Sequence, residues 1–318
     1  MNLITRFSAY PLIAATLVSC SRSHYITITG YAQGGTYSVK ADISAARDGQ
    51  GHRIGEAAIR DSIESILTLI DTTLSGYNRN SILSRRNAGE EVETNRCWDE
   101  VLALSEKYAV LTGGAFDVKA APLFDIWGFG FKSGEMPSDS LVQVAMEECR
   151  KGRVLNFNAI AQGYTADVIA GFLKRNGVSN YLVDIGEIRC EGVNRSGKGW
   201  TVGIDTPEDG NQTPGASFSG IWHSDGASHG IVTSGNYRKF YIRDSKKYAH
   251  TIDPRSGRPV EHNLLSATVI APTAADADAL ATYFMVIGME EARKYTESHE
   301  GIEAFLISSE GSWSSKGF

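Results

Sequence analysis

The chain is predicted to fold as one compact α+β unit of mainly antiparallel sheet packed with helices. Helical periods and strand-like runs are interleaved without a strict βαβ rhythm, and the turn signals between strands are hairpin signals. No internal repeat, coiled coil or convincing linker divides the 318 residues, so residues 25–318 read as one domain. The composition, 42% hydrophobic and 21% charged, is that of a globular protein. A net charge of −6 and the lack of any basic run argue against nucleic acid as a partner.

Residues 1–24 stand apart. Arg6 precedes a moderately apolar run, AYPLIAATLVS, that is too short to span a membrane and reads as a secretory signal over residues 1–19. Leu17-Val18-Ser19-Cys20 resembles a bacterial lipoprotein processing site. By that resemblance Cys20 is the lipidated N-terminus, residues 20–24 are a short tether, and the protein is membrane-anchored in the cell envelope. Plain signal cleavage near the same place is the alternative. The remaining cysteines, Cys97, Cys149 and Cys190, are odd in number and widely spaced, with no CxxC or Cys/His metal pattern, and are read as structural.

In chain order, YITITGYAQGGTYSVKADI (25–43) alternates as a strand broken at Gly34-Gly35. Residues 56–74 place Ile59, Ile63, Ile66, Leu67 and Ile70 on one face of an amphipathic helix. SGYNRNSILSRRN breaks it, and a second amphipathic helix runs from Cys97 to Leu111, stopped by Thr112-Gly113-Gly114. GGAFDVKAAPLFDIWGFG is dense in glycine, proline and aromatics; the plain reading is a rigid turn with Phe116 and Trp127 as core anchors. Residues 133–140 read as an exposed linker. A strand-like VLNF leads into a helix with Ala161, Tyr164, Val168, Ile169 and Phe172 facing inwards and Asn176-Gly177 as its stop. NYLVDIG and WTVGIDTP read as strands, residues 207–219 as a loop, and GIVTSGNYRKFYIRDSKKYAHTIDP as a strand pair around the Arg243–Lys247 turn. GIEAFLISSEGSWSSKGF closes the chain as a last strand pair.

The stretch from His250 to Gly288 carries the most chemistry. HTIDPRSGRPV reads as a hairpin turn, with Asp253 opening it, Pro254 fixing φ and Gly257 free to take φ > 0. LLSATVI is β-rich, and Thr273 followed three residues later by Asp276 is a helix start. Asp276 and Asp278 lie about 200° apart on that helix and cannot serve one site together. Asp278 and Thr282 are four apart and share a face. A carboxylate and a hydroxyl stacked there are hard oxygen ligands suited to Mg²⁺; a solvated acid favoured by the helix dipole is the simpler reading.

These residues resemble one family, the ApbE-type FAD:protein FMN transferases. The matching stretches are GGTYSV with 35–39 at its core, SGYNRNSILSRRN (75–87), GGAFDV with PLFDIWGFG (113–130), NAIAQGYTAD (158–167), YLVDIG-E (181–187), TSGNYRKFY (233–241), HTIDPRSGRPV (250–260) and ADALAT (277–282). They fall in family order across nearly the whole mature chain. The resemblance implies that Mg²⁺ helps to split the FAD pyrophosphate, FMN passes to a Thr or Ser hydroxyl of an acceptor protein, and AMP leaves. It implies metal ligation by Asp278, Thr282 and the backbone carbonyl of Ala159. It implies FAD contacts at Gly34, Tyr77, Ala115, Phe116, Asp117, Asn156, Gln162 and Ile252, with Tyr77 and Phe116 suited to a flat ring. His250 is the expected proton-transfer residue, against a structural role in the hairpin. For Arg255 and Arg258 a solvated turn is preferred over phosphate contact.

The resemblance also implies a periplasmic location and, as acceptors, flavin-carrying subunits of membrane electron-transport complexes. Three positions depart from the family pattern: Asn156 stands where Asp is frequent, residues 185–187 read IGE rather than IGGE, and Ala281 replaces a further acid. The alternative functions are FAD hydrolysis to FMN and AMP, and a non-catalytic FAD-binding lipoprotein.

Overall fold

The first two strands, β1 (Tyr25–Ala32) and β2 (Gly35–Asp42), pair antiparallel from Tyr25↔Asp42 to Ala32↔Gly35. The stretch expected to be one interrupted strand is therefore a hairpin. Only Gln33 and Gly34 lie between the strands, with φ of 52° and 83°; a two-residue turn with both φ positive matches the twist of the strands it joins. The computed structural model describes residues 23–129, 136–208, 215–237, 240–243 and 246–318. Cys20 and the signal-like segment lie outside them.

Next in the chain come α1 (Glu56–Leu74), α2 (Ile82–Asn87), α3 (Arg96–Leu111), a 3-10 turn at Val118–Ala120, α4 (Ala121–Ile126), α5 (Asp139–Lys151) and α6 (Ala161–Arg175). They are followed by β3 (Tyr181–Asp184), β4 (Ile188–Glu191), β5 (Thr201–Asp205), β6 (Phe218–His223) and β7 (His229–Gly235). Then come β8 (Phe240–Arg243), β9 (Lys246–Ala249), β10 (Ile252–Asp253), β11 (Arg258–Pro259) and β12 (Leu264–Ala271). The chain ends with α7 (Ala274–Ile287), α8 (Met289–Ser298), β13 (Glu303–Ser308) and β14 (Gly311–Ser314).

Eight strands form one antiparallel sheet in the order β1-β2-β3-β4-β7-β12-β13-β14, and β5–β6, β8–β9 and β10–β11 are separate ribbons. The alternation of side chains divides the sheet into two faces. Val39, Val183, Val232 and Val269 turn towards the helices, against α1 and α6 at one end and α3 and α7 at the other. Leu182, Ile231 and Ile270 turn the other way and are covered by Trp200, Val202 and Trp222 around the β5–β6 ribbon.

The helix expected at 56–74 buries Ile59, Ile63, Leu67 and Ile70 as read from its period. In α6 the expected inward face holds only in part. Tyr164 and Ile169 are buried, whereas Ala161, Val168 and Phe172 are half-buried, and Gly163, Thr165, Ala166, Ala170 and Leu173 are buried instead. This helix packs on the sheet, on α1 and on α7 at once, so its burial is not confined to one stripe. VLNF is not a strand: its Leu155 backbone is satisfied by the amide of Asn87 in both directions (2.8 and 2.9 Å). Four helices went unread: α2 and α4 fall in stretches read as a break and a rigid turn, and α5 and α8 were not expected. α5 is capped by Ser138, whose side chain accepts from Leu141 N, inside the 133–140 stretch taken as linker; residues 133–135 of that stretch lie outside the described residues. α8 follows Gly288 directly.

The cysteines are free thiols, and burial pushes Cys97 and Cys149 up to about 11 and Cys190 up to about 12. That suits the structural role expected of them.

Candidate functional site

Thr273 caps α7, accepting from Asp276 N (3.0 Å) and donating its hydroxyl to Asp276 Oδ2 (2.6 Å). Asp276 also accepts from Tyr108 Oη (2.6 Å) and Lys107 Nζ (3.3 Å). Burial works to raise its pKa, but these three donors together hold it below the usual value. Asp278, on the other side of the helix, is buried against α6, where its Oδ2 accepts from Gly163 N (3.1 Å). The two acids are thus divided as the helical angle required.

A glycine is needed at 163. A Cβ there would lie 2.4 Å from Ala274 O and 2.8 Å from Asp278 Cβ. Four residues on, Asp167 accepts from Ala274 N (3.0 Å) and Ala275 N (2.9 Å), so α6 supplies a carboxylate to the open N–H groups of α7. Arg189 holds Asp167 from behind (3.5 Å), donates to Ser228 Oγ (2.8 Å) and bonds the carbonyl of Pro272. This positioning role of Asp167 was not legible in sequence, although the residue ends a motif, because its partners lie 107 and 108 residues away.

Burial pushes the Asp278 carboxyl up, the Gly163 N–H pulls it back, and the neighbouring charge of Asp167 adds to the upward push. Asp167 is raised as well, by burial, against the opposing N–H donors of Ala275 and Ala274 and the charge of Arg189. Among the described residues no basic side chain pairs with Asp278. Thr282 follows one turn along α7, half-buried, and Ala159 lies half-buried in the turn that enters α6. Carboxylate, hydroxyl and carbonyl are hard oxygen donors, and a buried carboxylate without a basic partner is a setting that accepts a cation. The donor set fits Mg²⁺.

Beside this crossing lies a cavity of about 920 Å³. Its walls are the β1–β2 hairpin, Gln162 at the start of α6, the loop from Asp184 to Glu187, and the β5–β6 ribbon, with Tyr237 beyond β7. The volume is at the upper end of the range for small-molecule sites. Of the expected cofactor residues, Gly34 and Gln162 line it. Gln162 Nε2 reaches Ile185 O (3.4 Å), one residue before the Gly163 N–H that holds Asp278. Gln33 also lines the cavity. Its Nε2 donates to Thr165 Oγ1 (2.7 Å), whose own hydroxyl donates to Ala161 O (2.6 Å). That fixes the amide orientation and leaves Oε1 buried without a partner.

The shortened IGE segment closes cleanly. Asp184 pairs with Ile188 across a three-residue loop in which Gly186 takes φ 101° and donates to Asp184 Oδ1 (3.1 Å). Asp184 lines the cavity, and burial raises its carboxyl against the Gly186 N–H and the charge of Lys40.

The other expected contacts do not line this cavity. Tyr77 is 70% exposed. Phe116 is the reverse: its ring is buried in the core, edge-on to Tyr108 at 6.1 Å, so it offers no face to a flat cofactor. The core-anchor reading of Phe116 and Trp127 is the one the structure supports, with Trp127 Nε1 donating to Gly257 O (2.8 Å). Ala115 is buried too, and Asp117 accepts from Lys119 N (2.9 Å) at the head of the 3-10 turn. Asn156 donates N–H to Val118 O (2.8 Å) and accepts from Asn158 N (2.9 Å), a turn that an Asp could make equally.

Ile252 is buried in the β10–β11 hairpin, which closes at Gly257 (φ 70°) as read. His250 precedes it, half-buried, with its ring 6.4 Å from that of Phe129. Arg255 is held bidentate by Asp253 (both 2.9 Å) and Arg258 by Asp139 (2.5 Å), which matches the preference for a solvated turn. Ala281 is wholly buried in the core.

Solved structures with this architecture define the class as that of flavin transferases. The chain superposes on the flavin transferase ApbE from Vibrio cholerae with a TM-score of 0.76, at 28% identity over 93% of this chain and 99% of that one. It superposes on the flavinyl transferase ApbE of Pseudomonas stutzeri, apo form, with a TM-score of 0.78, at 33% identity over 93% and 96%. The model of the ApbE family matches residues 33–306, and the chain belongs to that family. Among curated relatives, the FAD:protein FMN transferase of Escherichia coli K12 is 33% identical over 280 residues, covering 80% of this chain and 78% of the relative. That of Haemophilus influenzae is 30% identical over 322 residues, covering 93% and 90%.

Proposed function

We propose that this protein transfers FMN from FAD to a Thr or Ser hydroxyl of an acceptor protein, with Mg²⁺ as cofactor and AMP as leaving group. The observation that carries this reading is the buried Asp278 carboxylate, without a basic partner among the described residues and held by the N–H of Gly163, the residue that follows Gln162 in the wall of a nucleotide-sized cavity. Family membership supplies the reaction; the site supplies places for its parts.

Asp278, Thr282 and the carbonyl of Ala159 hold the metal in this reading. Mg²⁺ bound there neutralises charge on the pyrophosphate oxygens as the bond between the two phosphates breaks. Gly163 N–H and Asp167 fix the register of α6 against α7, and with it the direction of the Asp278 carboxylate. Gly34 and Gln162 contact FAD from the cavity wall. Tyr77 contacts FAD from the exposed segment between α1 and α2. Phe116 contributes only as the buried support of the Ala115–Asp117 segment, whose backbone remains available, and Asn156 and Ile252 shape the adjoining turns. His250 takes the proton from the acceptor hydroxyl as its oxygen bonds to the FMN phosphorus; AMP departs with the bridging oxygen.

We further place the protein in the bacterial envelope, tethered through lipidated Cys20 and facing the periplasm, with flavin-carrying subunits of membrane electron-transport complexes as acceptors. The support is the sequence of residues 1–20. No helix among the described residues is long and apolar enough to cross a membrane.

The test is mass spectrometry of a candidate acceptor after incubation with the protein, FAD and Mg²⁺, with EDTA as control. A mass gain of one FMN that EDTA abolishes is the expected result. Free FMN and AMP with an unmodified acceptor would instead mark a hydrolase, and intact FAD a binding protein.

A further inference from the structure

One wall of the cavity has no part in the roles above: the β5–β6 ribbon. On its inner face Val202 and Trp222 pack on the sheet, and Ile204 is buried beside them in sequence. Strict alternation from Trp222 would turn Ile221 out, Gly220 in, Ser219 out and Phe218 in. The register instead shifts between Ile204 and Asp205: Ile204 pairs with Gly220, but Asp205 pairs with Phe218. Ser219 is therefore the extra residue of a bulge, a device that re-aims side chains beside functional sites. Phe218 is turned outwards and is 55% exposed on the cavity lining. Its ring is seated on Gly203, where a Cβ would lie 2.4 Å from Cε1 and 2.6 Å from Cδ1. The ring is thus backed by glycine on one side.

We propose that Phe218 is a stacking platform for a planar heterocycle of the nucleotide bound in this cavity, the isoalloxazine or the adenine of FAD. The inference rests on FAD being the ligand, as argued above. Of the aromatics on the cavity lining, Tyr37 and Tyr237 are buried, and Phe218 presents the most exposed ring. The competing role is structural, an aromatic side chain covering a cross-strand glycine. A leucine would still cover Gly203 but offers no π face, so it separates the two.

The experiment titrates detergent-solubilised full-length protein with FAD, FMN and ADP separately, in EDTA, following heat release and, for the flavins, fluorescence. Removal of a stacking aromatic weakens a nucleotide-binding site by about tenfold or more. Phe218→Ala and Phe218→Leu are expected to lose at least that for FAD, with Phe218→Tyr close to wild type and thermal midpoints of the Leu and Tyr variants unchanged. Loss shared with FMN identifies the isoalloxazine as the stacked ring, and loss shared with ADP identifies the adenine. FAD affinity in Phe218→Leu equal to wild type would overturn the proposal. Wild-type protein that binds FAD but modifies no acceptor overturns the transfer reading and leaves Phe218 standing; wild-type protein that binds none of the three ligands overturns both.

Discussion

Gly163→Ala is the sharpest test of the α6–α7 crossing as the element that sets the site. The added methyl would meet Ala274 O at 2.4 Å and Asp278 Cβ at 2.8 Å. Restoring an ordinary carbon–oxygen contact of about 3.3 Å requires the helices to part by roughly 0.9 Å. The obstacle is backbone, so no side-chain rotation relieves it. Overpacking of this kind costs about 1–3 kcal/mol, which lowers the melting temperature of a domain this size by about 2–5 °C. The same movement lengthens the 3.1 Å bond from Gly163 N to Asp278 Oδ2, and a displacement near 1 Å at a reacting site lowers rate by about 100-fold. Gly171→Ala is the control on the same helix. There the nearest atom to the new methyl is Arg175 Nη1 at 3.2 Å, the free end of a flexible side chain, and the exchange should stabilise the helix by up to about 1 kcal/mol. Thermal melts and FMN transfer measured side by side check both. Gly163→Ala with the melting temperature and activity of Gly171→Ala would refute the reasoning.

Three further outcomes follow from the same geometry. Asp278→Asn should abolish Mg²⁺-dependent transfer yet stabilise the metal-free fold near neutral pH. The folded carboxyl is raised above its unfolded value by burial, so its ionisation penalises folding as pH climbs from the ordinary carboxylate range through the raised value; urea melts in EDTA should show the gain shrinking as pH falls through that window. Asp167→Ala removes the acceptor of Ala274 N and Ala275 N and should cost about 1–2 kcal/mol by chemical denaturation, with weaker Mg²⁺ binding by calorimetry. Phe116→Ala should cost about 3–5 kcal/mol as a core truncation, whereas Tyr77→Ala at an exposed site should leave the melt unchanged and weaken FAD binding in a fluorescence titration.

Much of this arrangement is legible in the sequence where local rules govern. The angle between Asp276 and Asp278 follows from helical period alone, and Thr273 announces the start of the helix that carries them. The 253–257 turn is fixed by its own Pro and Gly. Where distant packing governs, the sequence is silent. The inward face of α6 is misread because three neighbours cover it, and Asp167 gains its role only when α7 arrives. Phe116 illustrates the limit of residue type: an aromatic in a cofactor motif is suited to stacking, but its partner turned out to be Tyr108 in the core. Phe218 lay in a stretch read as loop, and nothing local marks the bulge at Ser219 that re-aims it. The hairpin at residues 25–42 was missed because its turn is Gln-Gly, outside the usual Asn-Gly signal.

The crossing of α6 and α7 has a kinetic meaning as well. Its bonds join residues 115 and 107 positions apart, Gly163 to Asp278 and Asp167 to Ala274, so they form only after a long stretch of intervening chain has been ordered. A partly folded chain in which α6 and α7 have not met leaves Asp278 without the Gly163 N–H and, in the proposed reading, would have no assembled ligand set to offer a cation. In the proposed reading, Mg²⁺ binding would be linked to completion of the whole fold and would stabilise that state by mass action. Reactivity towards the pyrophosphate would then be withheld until α6 and α7 have met.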